Sequence, residues 1–159
     1  MNCQIPNGLP GAALLLALVL CVSCRTVPPL PAADLSAPGW SVQQGQAIWK
    51  PAQDRSEIAG DLLLATNIDG SYFVELIKTP FTIVTAESLG GRWQIEFGVG
   101  EHSWRGTGTP PKRFAWFQLP RALLDGRTAA PWRFEVLDSS SWRLEDPKSG
   151  ETLEGGFFP

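Results

Sequence analysis

The sequence predicts a mainly β domain: a curved antiparallel sheet or incomplete β-barrel with one short helix as a partial lid. Three observations carry this reading. From Trp40 onward the chain is a series of short runs, several alternating apolar and polar residues, cut at even spacing by turn residues. Only one stretch combines helix-forming residues with helix-ending punctuation. Seven Trp and eight Phe stand against one Tyr and one Met, an apolar inventory suited to the wide face of a sheet. Such strands joined by hairpins favour an antiparallel sheet, either strongly curved or closed.

Taken in order, Trp40 to Trp49 alternates weakly and stops at Lys50-Pro51. Glu57 to Thr66 places Ile58, Gly60, Leu62 and Leu64 on one side and breaks at Asn67-Ile68-Asp69-Gly70, a hairpin signal. Tyr72 to Lys78 and Phe81 to Ala86 are apolar on both faces, so they are expected in the middle of the sheet with cover on both sides. Arg92 to Phe97 has the cleanest alternation, with Trp93, Ile95 and Phe97 inward and Arg92, Gln94 and Glu96 outward. Gly98 to Lys112 reads as a mobile loop holding a short strand at His102 to Arg105. In the next segment Pro120 suits a first helical turn and Gly126 a C-terminal cap, which predicts a helix from Pro120 to about Asp125. Trp132 to Val136, Trp142 to Glu145 and Glu151 to Phe158 close the chain as strands, the last two joined by the turn Asp146 to Gly150.

The N-terminus reads as an address. Gly11 to Leu20 contains only Gly, Ala, Leu and Val. Continued through Cys21 and Val22, an apolar helix of roughly 12 residues is about 18 Å long, too short for a hydrocarbon core of about 30 Å. Placed near the N-terminus, it fits a signal-peptide apolar region. Val22-Ser23-Cys24 is similar to the end of the bacterial lipobox, although Cys21 occupies a position usually aliphatic and Met1 to Pro10 lacks Lys and Arg. The resemblance implies cleavage before Cys24, lipidation of its thiol, and anchorage of the chain by acyl groups. Arg25, in place of the Asp that marks inner-membrane retention in the best-known sorting rule of that class, points to the periplasmic face of the outer membrane. An ordinary secretory signal cut at another small residue is the alternative. The expected organisation is a leader over 1–23, a Pro-rich tether over 24–39 and one β-rich domain over 40–159. At roughly 3.1 Å per residue, an extended tether would hold the domain up to about 45 Å from a bilayer.

Composition excludes several function classes. A net charge of −3, with Lys and Arg scattered singly, gives no basic field for nucleic acid. After cleavage, Cys24 is the only thiol and His102 the only imidazole, so no transition-metal site and no cofactor is expected. Ser103 and Ser139 to Ser141 leave a Ser-His-Asp hydrolase as a distant reading, because no nucleophile-elbow motif accompanies them. Gly98-Val99-Gly100 and Gly106-Thr107-Gly108 lack a following helix and a phosphate-binding Lys. Glu145-Asp146 falls at a turn, where solvation accounts for it.

What remains is the aromatic set. Trp49, Trp93, Trp104, Trp116, Trp132 and Trp142 are spread over nearly every expected strand, and on a curved sheet inward residues of neighbouring strands form one surface. That surface is either a plain filled core or an open concave face that accepts an acyl chain or other apolar ligand. Thr79-Pro80-Phe81 before a strand, Gly91-Arg92-Trp93 opening the next, and Leu119 to Leu124 before a Gly give the chain a resemblance to the lipoprotein-localisation factors of the LolA/LolB type. It spans roughly Trp40 to the C-terminus. It implies an incomplete barrel, capped by helices, with acyl chains of lipoproteins as ligands, and it transfers no individual ligand residue. The long N-terminal helix and second lid helix of that family have no counterpart here, so the resemblance bears on fold more than on transfer. The expected protein is a non-enzymatic, lipid-anchored lipoprotein that binds acyl chains on its Trp-lined face. A structural or protein-binding lipoprotein with a filled core is the runner-up.

Overall fold

The computed structural model describes residues 27–98 and 102–159. Cys24, the cleavage site and the leader lie outside the described residues. Among the described residues, nine strands and one helix follow in the order β1 (Trp40–Lys50), β2 (Ile58–Asn67), β3 (Tyr72–Lys78), β4 (Phe81–Leu89), β5 (Arg92–Phe97), β6 (His102–Thr107), α1 (Ala115–Asp125), β7 (Arg133–Val136), β8 (Ser141–Asp146) and β9 (Glu151–Phe157). All pairings are antiparallel, in the order β6-β5-β4-β3-β2-β1-β9-β8-β7. The sheet is open and mainly β, as expected, and it does not close into a barrel, since β6 and β7 each end it.

Register fixes two faces. Directly opposed residues share a face, so Trp49, Leu62, Leu76, Val84, Phe97 and Leu153 point to one side. Trp93, Ile95, Trp142 and Leu144 point the same way. In β5 the outward set is Arg92, Gln94 and Glu96, as the alternation predicts. Flat strands would separate β1 from β5 by four spacings, about 19 Å. The rings of Trp49 in β1 and Phe97 in β5 nevertheless stack at 5.6 Å between centroids. The sheet therefore bends toward this inner face and forms a trough.

The helix lies in that trough. Its backbone approaches β3 and β4 on one wall and β8 and β9 on the other. It begins five residues earlier than predicted, at Ala115, so Pro120 sits inside it rather than in its first turn. Pro120 removes one backbone N–H, which leaves the Trp116 carbonyl without its usual partner. Packing overrides this cost: Trp116, Leu119 and Pro120 are all fully buried. Gly126 ends the helix as predicted, with φ of 65° and its N–H donated to the Ala122 carbonyl at 2.9 Å.

The segment read as a free tether is also in contact with the sheet. The Arg92 guanidinium donates to the Pro28 carbonyl, and the Leu30 N–H donates to Gln94 Oε1 at 3.0 Å. This strap lies over the outer face of β5. It explains why Gln94 is only 7% exposed although it belongs to the outward set. Glu87, opposite Gln94 on the same face, is buried as well. Of the cover expected on both sides of the middle strands, α1 supplies the inner one; on the outer face the strap bonds β5, and Phe73, Glu75 and Ile77 of β3 stay only partly buried.

A core built on this wedge predicts unequal tryptophans. Trp116→Ala should cost about 3–5 kcal/mol in urea unfolding, the range for deleting a buried aromatic. Trp104→Ala, at an edge strand and 39% exposed, should cost about 1 kcal/mol.

Candidate apolar groove

The six candidate tryptophans do not form one open surface. Trp49 packs edge-on against Trp116 at 5.4 Å and stacks on Phe97, while Trp93 packs against Phe117 at 5.7 Å. These residues, with Tyr72 and Phe114, fill the middle of the trough. Trp132 is buried beside the helix and donates its indole N–H to the Lys112 carbonyl at 2.6 Å. Trp104 lies on the edge strand β6, against Phe97 and Phe114. His102, next along that strand face, is exposed and 6.1 Å from Trp104. The serines Ser139 to Ser141 lie at the β7–β8 turn, at the other end of the strand order.

Trp142 differs, because it borders the part of the trough that α1 does not fill. A groove of about 660 Å³ opens there between the last turn of α1 and the strands β7, β8 and β9. Leu123, Phe134, Val136, Trp142, Phe157 and Phe158 supply its apolar walls. Its volume falls within the range of about 300–1,000 Å³ typical of small-molecule sites. Local sequence makes this room. Gly155 faces Trp142 across β8 and β9, and a Cβ there would lie 2.5 Å from the Gln46 carbonyl and 3.0 Å from the Trp142 ring. With glycine at 155 the indole lies across β9 and packs toward Phe157, 6.2 Å between centroids. β7 has only four residues, so it leaves Val136 65% exposed at the rim.

The rim carries one fixed negative charge. Asp138 accepts hydrogen bonds from the backbone N–H and hydroxyl groups of Ser140 and Ser141, which hold its carboxyl down at about 2. The role of Asp138 is to close the β7–β8 turn, with Ser140 and Ser141 of the serine run as its donors. A second concavity of about 550 Å³ lies on the outer face, along β1, β2, β3 and β9. It mixes Ile48, Ala59 and Ile77 with the charged Asp61, Lys78 and Glu154. Among the described residues no three His, Cys, Asp or Glu side chains converge as metal ligands.

Two other carboxyls are displaced upward. Burial, then the nearby charge of Glu96, raises Glu87 to about 7 beneath the strap. Burial raises Glu151 to about 7, opposed by the hydrogen bond that it accepts from the Trp49 indole at 3.0 Å, with Asp146 adding to the rise. Neither residue stood out in the sequence. Glu87 continues the outward polar alternation of its strand, and only the strap makes it a buried group. Phe134, Phe157 and Leu123 also lie outside the tryptophan set that the sequence singles out, although strand alternation and helix period place them inward. Comparison with protein-family models finds no match, and comparison with curated proteins finds none either.

The raised carboxyls fix the sign of a pH dependence. Each binds its proton more tightly folded than unfolded, so its stabilising contribution is complete below about pH 4.5 and is lost as pH rises through about 7. Allowing for solvent screening, the loss is about 1–2 kcal/mol per group. Glu87→Gln with Glu151→Gln should flatten the fall in urea midpoint between about pH 5 and about pH 8. An unchanged slope would show that neither carboxyl carries it.

Proposed function

We propose that this chain is a lipid-anchored lipoprotein of the cell envelope, held through acyl groups on Cys24 at the periplasmic face of the outer membrane. In this reading its β domain is non-enzymatic and binds an apolar chain, of the acyl type carried by lipoproteins, in the groove between α1 and β7–β9. The observation that carries the ligand is that groove: about 660 Å³, walled by Leu123, Phe134, Trp142 and Phe157, beside a trough whose middle is filled by aromatic side chains. The lipobox-like Val22-Ser23-Cys24 supports the anchor. The LolA/LolB resemblance is consistent with the ligand class, and because no long helix precedes β1 among the described residues, binding rather than transfer is the activity proposed.

A second reading rests on a specific observation. Trp116 and Leu119 occupy the centre of the hollow with no exposure, which is what a filled structural domain that binds only other proteins requires. The two readings separate on one measurement. A fluorescent fatty acid should bind the purified, delipidated domain, and Val136→Glu should weaken binding by about tenfold or more by placing a charge at the apolar rim. Because Val136 is exposed, its substitution leaves the fold intact. No probe binding, together with no lipid in mass spectra of the co-purified material, would establish the filled domain instead. For the anchor, Cys24→Ser should move the protein from the membrane to the soluble fraction and abolish the acyl mass.

A further inference from the structure

The strap shortens the distance between the proposed anchor and the folded domain, and it sets a direction. Arg92 stands at the β4–β5 turn, paired with Leu89, and Gln94 lies two residues deeper in β5. The chain therefore runs toward that turn as it passes backward from Leu30, bound at Gln94, to Pro28, bound at Arg92. Val27 leaves the sheet at the end that carries the turns Asn67–Ser71 and Leu89–Arg92. Only three peptide units separate Val27 from Cys24, a reach of about 10 Å at full extension. A free tether of the expected length would let the domain tumble at a distance. A docked one does not.

The same end has the chemistry of a membrane contact. Ile68, at the tip of the β2–β3 turn, is 92% exposed, and Leu124 of α1 is 69% exposed. Leu124 shares a cavity of about 250 Å³ with Gly70, Lys112 and Arg121, so helix end and hairpin tip are neighbours. Arg92, Lys112 and Arg121 bring cations to this end. Asp125 opposes them, and Asp69 is engaged in its own turn by the Ser71 N–H at 2.7 Å. Exposed apolar side chains, with Lys112 and Arg121 beside Leu124 and Arg92 at the next turn of the same end, are what an anionic lipid surface attracts.

The geometry points to this end of the sheet, which exposes Ile68 and Leu124 and carries Arg92, Lys112 and Arg121, as the surface that rests on an anionic bilayer. The inference rests on the Cys24 anchor proposed above and adds the orientation of the domain, with the strap as the element that fixes it. The opposite end, with the β8–β9 turn around Lys148, then faces away from the membrane.

The experiment places a thiol-linked fluorophore at Ile68→Cys or, separately, Lys148→Cys. Two preparations are bound to vesicles of phosphatidylethanolamine and phosphatidylglycerol that carry a membrane-dissolved quencher. One is the full chain purified from its own envelope, with acylation read from its intact mass. The other begins at Arg25 behind a hexahistidine tag and is held by a nickel-chelating lipid. Quenching should be severalfold stronger at position 68 than at 148 in both, and Gln94→Leu, which removes the acceptor for Leu30, should shrink the difference. Equal quenching at the two positions on an acylated chain overturns the orientation and leaves the anchor standing. An unacylated mass, with strong quenching at 68 in the tag-held chain, overturns the anchor and leaves the surface standing. A difference that survives Gln94→Leu in full removes the strap from its proposed role.

Discussion

One helix must cover the apolar face of a nine-stranded sheet, and the rest of the molecule follows from that mismatch. A flat sheet of this width would leave most of its inner face in water, at about 25 cal/mol for each Å² of apolar surface left exposed. Bending the sheet brings its walls to the helix, and large aromatic side chains span the remaining distance. Trp116, Trp49, Phe97, Phe114, Phe117 and Trp93 form the resulting chain of ring contacts. The aromatic excess is thus a consequence of architecture: few side chains must fill a wide trough, and Trp fills the most space per residue. Full burial has a cost, since the indole N–H groups of Trp93, Trp116 and Trp142 have no acceptor among the described residues.

The same mismatch decides where a ligand fits. The wider apolar groove persists where the helix ends and β7 is short, so it is peripheral to the core rather than continuous with it. Its walls are Phe and Leu as much as Trp. The polar serine run beside it closes a turn around Asp138, and its hydrogen bonds are satisfied within four residues. Apolar volume, rather than any chemically reactive group, is what distinguishes this site from its surroundings.

The outer face is arranged by a different interaction. A Pro-rich segment has few backbone donors and little periodic structure, and composition alone gives it the character of a spacer. Here its carbonyls and one N–H meet Arg92 and Gln94, and the strap so formed buries Glu87 and Gln94. Burial therefore raises the Glu87 carboxyl to about 7, and Val27 leaves the sheet at the end that carries the β4–β5 turn.

The sequence by itself determined the strand series almost to the residue, because alternation, Asn-Ile-Asp-Gly and Asp-Pro-Lys-Ser-Gly are local signals whose physics needs no partner. It determined the inward set of β5 and the helix stop at Gly126 for the same reason. It also determined the order of chemistry along the chain: a lipobox-like cysteine, one histidine, and no recurring ligand spacing. The tertiary structure decided the rest. Helix start depended on burying Trp116 against two walls of the trough, an energy large enough to carry the helix through Pro120 against local preference. Which tryptophans are core and which groove depended on how far the sheet bends, and bending is set by contacts between strands far apart in sequence. The docking of Pro28 and Leu30 on residues more than sixty positions away is likewise invisible to any local pattern. Local rules write the strands, and long-range packing decides what they enclose.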